Sequence, residues 1–191
     1  MALILEYTGP EPVSVDEAKL AARVDVDDLD DEITSLISAA RGQAEDITGR
    51  CYREQVQRYE LTDWPSVCDA LPTYGATACA ITFWDGAAWS DPLDAAQYAF
   101  AAGGLGDIAT ILAPVTAWPV LGARIIGARV RIDLTAGPSE GDIVPDQVKT
   151  YIKASVSAWL KTPEAQGAGR EGVLTPNPLF ARLLDGQKLR N

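Results

Sequence analysis

Between Val13 and Arg53 the sequence carries two helix signals in series, each with its start and stop marks, and the rest of the chain has to be arranged around them. Ser14 opens the first. With Glu17 three residues on it forms a capping box, in which hydroxyl and carboxylate each satisfy an orphan backbone N–H of the first turn. This helix is predicted to run to about Arg23. After Val24-Asp25-Val26, the run Asp27-Asp28-Leu29-Asp30-Asp31-Glu32 offers an N-cap and a cluster of negative charges that suits the positive end of a helix dipole. A second helix is therefore expected from near Asp28. Leu29, Ile33, Leu36, Ile37, Ala40, Ala44 and Ile47 fall on one stripe, with Asp31, Thr34, Ser38 and Glu45 opposite. Gly49 stands where a left-handed C-cap is needed. From Asp28 to Thr48 the helix would span ~30 Å, enough for the spine of a small domain.

The remainder reads as a sheet framed by helices. Residues 1–12 alternate and then break at Gly9-Pro10, which suits an extended arm or edge strand. Arg53 to Leu61 alternates as a half-exposed strand that Trp64-Pro65 closes. From Pro72 to Ala136 the period is two: Cys79, Ile81 and Phe83 against Ala78, Ala80, Thr82 and Trp84, a hairpin signal at Asp85-Gly86, then extended pieces at Gln97–Ala101, Ile108–Leu112 and Ala128–Leu134. In the last, Val130, Ile132 and Leu134 face one way and Arg129, Arg131 and Asp133 the other, as in a small antiparallel sheet with one wet face. Val144-Pro145-Asp146 begins a third helix whose stripe, Val148, Ile152, Ser155 and Trp159, is expected to pack on the spine. Residues 162–178 have a linker composition, and Pro178–Asp185 can form two helical turns before a basic tail with Lys188 and Arg190. The fold class is thus α+β. A helical core (residues 1–52 and 142–162) carries an inserted small antiparallel sheet (53–141), followed by a linker and C-terminal arm (163–191).

Several chemistries are excluded. The chain has no histidine, which removes the usual general base, the Ser-His-Asp arrangement and imidazole metal ligands. Cys51, Cys68 and Cys79 match no metal or redox spacing and read as small apolar residues. Gly104-Leu105-Gly106-Asp107-Ile108-Ala109 fits a loose dinucleotide pattern, but the β-branched stretch after it ends at Pro114 and supplies no helix N-terminus for a pyrophosphate. Read as a calcium loop from Asp25, the acidic run has Leu29 fifth, Asp30 for the turn glycine and Leu36 twelfth, so an EF-hand fails three times. The five tryptophans lack interleaved basic residues and suit core or interface packing better than base stacking. No cofactor and no metal are expected.

The charge is unevenly spread. Sixteen basic and 27 acidic residues give −11, of which residues 1–100 hold −13 and residues 101–191 +2. Such a surface repels nucleic acid and anionic membranes. The start of the chain lacks a signal-peptide pattern, and no run reaches the ~18 apolar residues of a membrane span, so a soluble protein is expected.

Taken in order, Val13-Ser14-Val15-Asp16-Glu17-Ala18-Lys19, Arg23-Val24-Asp25, the acidic run, Leu36-Ile37-Ser38-Ala39-Ala40-Arg41 and Glu45-Asp46-Ile47-Thr48-Gly49-Arg50 resemble the head-tail connector (adaptor) proteins of long-tailed bacteriophages, in the long subgroup with a β insert. The stretch Arg129–Trp159 is again similar, with an Arg-x-Arg strand ending in Thr-Ala-Gly and a helix led by Val-Pro. Pro138, where an aromatic commonly follows the glycine, and Leu160-Lys161-Thr162-Pro163, in place of a Tyr and Arg end, depart from the pattern. The resemblance implies a non-enzymatic virion protein, made in the host cytoplasm and placed in the neck. It further implies a homo-oligomeric ring, a dodecamer in the virion, between the portal protein and a stopper or tail-completion protein, with genomic DNA passing through without specific binding and no membrane contact. The C-terminal arm, Leu179, Phe180, Arg182, Leu183, Leu184, Lys188 and Arg190, is then the expected portal-docking segment, its alternative being a fold back onto the subunit's own core. Asp27, Asp30, Asp31 and Glu32 are the expected oligomer or channel face. The competing reading is a small carboxylate-based enzyme or ligand-binding domain with a pocket in the β insert.

Overall fold

In the computed structural model the described residues are 3–66, 71–101, 109–138, 143–161 and 178–188. They form two compact units. One joins Met1–Gly9 to Arg53–Ser139, the other Pro10–Tyr52 to Glu140–Asn191.

The helical unit is built on α1 (Val15–Ala22), α2 (Asp30–Thr48) and α3 (Asp146–Lys161). Ser14 caps α1 as the sequence requires: its Oγ accepts from Glu17 N–H at 3.2 Å and the Glu17 carboxylate accepts from Ser14 N–H at 3.0 Å. Arg23 ends the helix in the left-handed conformation (φ 60°), and its N–H closes on the Leu20 carbonyl. Gly49 ends α2 at φ 75°, a conformation only glycine adopts without cost, with its N–H on the Glu45 carbonyl at 2.7 Å. At the start of α3 the Pro145 carbonyl takes the N–H groups of Val148 and Lys149, so the proline stands at the helix threshold where its missing donor is not needed. The predicted stripes meet in one core: Ile33, Leu36, Ile37, Ala40 and Ala44 of α2 with Val148, Tyr151, Ile152 and Val156 of α3, flanked by Ala18 and Trp159. The Tyr151 hydroxyl donates to Gln43 Oε1 at 3.2 Å.

The β unit holds two sheets where the sequence suggested one. A four-stranded antiparallel sheet has the order β1 (Leu3–Tyr7), β2 (Gln55–Leu61), β7 (Val130–Ala136), β4 (Ala76–Phe83). A second contains β3 (Leu71–Tyr74), β6 (Ala109–Pro114) and β5 (Tyr98–Ala101), also antiparallel. The reason is visible in the core. Val130, Ile132 and Leu134 of β7 need a hydrophobic cover, and Leu71, Tyr98 and Leu112 of the smaller sheet provide it, together with Tyr59 and Ile81. On the wet face, residues directly opposite in β2 and β7 carry opposite charges: Arg58 grips both oxygens of Asp133 at 2.7 Å, and Arg131 Nε meets Glu60 at 2.8 Å. Register is thus fixed on both faces of the strand pair.

The residues before Gly9 join the β unit and not the helical one, because β1 pairs with β2 across the whole helical segment that separates them in sequence. The glycine-rich stretch before Ala109, the proposed linker up to residue 177, and Cys68 lie outside the described residues.

Candidate functional sites on the helical unit

The acidic run does something other than cap α2. That helix begins at Asp30, two residues later than the pattern suggests, and Leu29 at its threshold makes no side-chain cap bond; the Leu29 carbonyl simply accepts Ile33 N–H at 2.8 Å. Asp27 and Asp30 turn instead to Lys19 of α1, whose ammonium donates to their carboxylates at 2.6 and 2.8 Å. These two hydrogen bonds, Asp27's first, raise the lysine above its ordinary range, and the same bond lowers the Asp27 carboxyl. A short clamp therefore ties α1 to the entrance of α2. Asp25, Asp28, Asp31 and Glu32 remain exposed. Of the expected oligomer or channel face, then, Asp27 and Asp30 hold the clamp while Asp31 and Glu32 look outward.

The C-terminal segment forms one turn of helix, α4 (Pro178–Ala181), followed by a 3-10 stretch Arg182–Gln187. Leu184 is completely buried in the core of α2 and α3, and Phe180 packs at its margin. Arg50 Nε donates to the Gln187 carbonyl at 2.7 Å, fastening the end of the segment to the residue after the Gly49 cap. Leu183 (37% exposed), Arg182 and Lys188 face outward, Lys188 bonded to Asp185 at 2.7 Å. The Leu179 side chain and Arg190 lie outside the described residues. In this structure the segment thus lies back on its own subunit, with one apolar and two basic residues on its outer side.

One buried, paired charge of the helical unit was not singled out from the sequence. Arg41 is almost fully buried, its Nε on Glu11 at 2.9 Å, its Nη1 on Glu45 at 2.6 Å and its Nη2 on Ser38 Oγ at 3.3 Å. Glu45 also receives the N–H of Tyr52 at 2.8 Å. The signal was present: Arg41 follows Ile37 by four residues and precedes Glu45 by four, which puts it on the edge of the buried stripe with a partner one turn on.

In the β unit, Trp64 stacks on Trp118 (4.6 Å, 5°), and Trp84 meets Trp89 edge-on at 6.0 Å. Arg124 lies over both rings of the second pair and Arg131 over Trp89 at 3.9 Å. The sequence showed no cations beside these tryptophans, yet folding brings them from strand and loop positions forty residues away. The carboxylates that an enzymatic reading would recruit here, Glu60, Asp63 and Asp133, are each bonded to an arginine. Burial pushes the Cys79 thiol up to about 12, so it stays protonated and unreactive. Among the described residues no group of His, Cys, Asp or Glu is arranged to hold a metal ion, and no helix is long and apolar enough to cross a membrane.

The fold is that of chains found in gene transfer agent (GTA) particles. Among the solved structures that carry it are the neck of an empty GTA particle computed with C6 symmetry (TM-score 0.74, 19% identity), the virion of a native GTA particle (0.72, 19%) and the neck of a native GTA particle computed with C12 symmetry (0.64, 20%). The likeness covers 99 to 100% of this chain and 96% of each of those. No protein-family model and no curated protein matches the sequence.

Proposed function

We propose that this chain is a structural protein of the neck of a phage-like particle, an adaptor that forms a homo-oligomeric ring between portal and tail and lines part of the channel through which DNA passes. The observation that carries the reading is the end-to-end likeness, helical unit and β unit together, to chains of GTA necks. The ordered resemblance of residues 13–50 and 129–159 to head-tail connectors supports it from the sequence side. Neck structures computed with C6 and C12 symmetry agree with a ring, for which the connector resemblance implies twelve copies. The excess of carboxylates suits a wall past which phosphate slides without adhering. In this reading the outward residues Arg182, Leu183 and Lys188 meet the portal. Leu179, Phe180, Leu184 and Arg190 join them if the segment is released from its own core, and the exposed acidic run faces a neighbour or the channel.

Negative-stain images of the purified protein, alone and mixed with its portal protein, test the proposal. Rings in either sample are the expected result; monomers in both would overturn it.

A further inference from the structure

The helical unit leaves charges of both signs without partners on its own surface. At one end, Asp25, Asp28, Asp31 and Glu32 are exposed and in no ion pair among the described residues. Through its bonds to Asp27 and Asp30, the Lys19 clamp brings Leu20 and Val26 to this same end, and these two aliphatic side chains are 82% and 52% exposed. The other set is on α3, which contains Lys149, Lys153 and Lys161 and a single acid, Asp146. Again no described residue pairs with the lysines. At 3.6 residues per turn, Lys153, Ala154, Ser157 and Lys161 fall away from the buried Val148, Ile152 and Ser155; Lys161 is exposed, and Lys149, Lys153, Ala154 and Ser157 are half-buried. The two residues between the lysines, Ala154 and Ser157, have small side chains.

We propose that these are the two halves of one contact between successive copies of the chain: Leu20 and Val26, rimmed by carboxylates, seat on the α3 face of the next subunit. An apolar centre inside a rim of complementary charge is the usual anatomy of a specific interface. Because the halves differ, the contact is heterologous, and repetition turns a heterologous contact into a ring when the rotation closes. The inference rests on the ring reading above and names the surfaces it uses.

The test combines cross-linking with a charge swap. An equal mixture of isotopically light and heavy chain is treated with a zero-length carbodiimide, and mixed-isotope amide links are expected between residues 25–32 and Lys149, Lys153 or Lys161. Asp25→Lys with Asp28→Lys should weaken self-association about tenfold or more, as should Lys149→Glu with Lys153→Glu, and combining all four should restore it. Restoration also separates a lost contact from a lost fold. Association that persists with cross-links elsewhere, or that the combination fails to restore, overturns the interface and leaves the ring standing. No association up to ~1 mM and no ring on the portal would remove both. If the lysine pair changes only retention on DNA, the α3 face is a nucleic-acid surface and the proposal fails.

Discussion

Arg41 is a buried charge that the helical unit has to hold by pairing. Its guanidinium is held by two carboxylates and a hydroxyl in a site 2% exposed, so removing it takes from the partly buried Glu11 and Glu45 the cation that bridges them. Arg41→Ala is expected to cost about 3–5 kcal/mol in urea unfolding, with part of the loss recovered when Glu11 and Glu45 are both changed to Gln. The Lys19 clamp, in which a half-buried lysine meets two carboxylates open to water, behaves differently. Asp27 is lowered in the folded state, so its contribution is present above the unfolded carboxyl range and is lost as the pH falls through the folded value. Lys19 is raised, so its contribution is present below the unfolded lysine range and is lost only as the pH rises through the folded value. The melting temperatures of the wild type and Lys19→Met should therefore differ at pH 7 and converge as the pH falls through the lowered Asp27 value. The difference should also shrink in 1 M salt, where the Debye length is about 3 Å.

At the scale of elements, the C-terminal segment is the clearest test of what packing decides. Leu184→Ala should lower stability by about 2–5 kcal/mol, and truncation after Thr175 should produce a large fall in melting temperature, since both remove a side chain the core encloses. A truncated chain of unchanged melting temperature would mean the segment spends its time elsewhere. The loop before β7 supplies another check. Gly122 N–H bonds to the Trp84 carbonyl at 2.8 Å and its Cα faces Gly86 so closely that an added Cβ would enter the Gly86 backbone. Gly122→Ala should displace the Trp84–Trp89 pair, visible as a change in tryptophan fluorescence, while the helical unit keeps its far-ultraviolet signal. Elements with a strong period or a cap were legible in the sequence: α1 through Ser14 and Glu17, α2 through its stripe and Gly49, β7 through its alternation. The start of α2 was not, because Lys19, eight residues before Asp27 and eleven before Asp30, competes for the same aspartates. The division of the strands into two sheets was not either, since alternation says that a face is buried but not what covers it. For the site, the acidic run was legible as charge and Arg41 only through Glu45 one turn on, whereas its second carboxylate, Glu11, and the Arg124 stack are partners that only the fold brings near.

On the scale of the whole molecule, the chain passes between its two units three times, near residues 9, 52 and 139. The edge strand β1 is made before the other strands of the four-stranded sheet, yet its partner β2 begins more than forty residues later and β7 later still. Synthesis thus ends α1 and α2 before the sheet has anything to accept β1. During that interval Leu3, Ile4, Leu5 and Tyr7 form an apolar leader, and even in the finished fold they keep much of their surface in water. Excising 53–139 to make a minimal helical protein would strand that leader permanently. A shortened version should be soluble only if residues 3–7 are removed with the insert, so the two pieces, far apart in the gene, have to be gained or lost together.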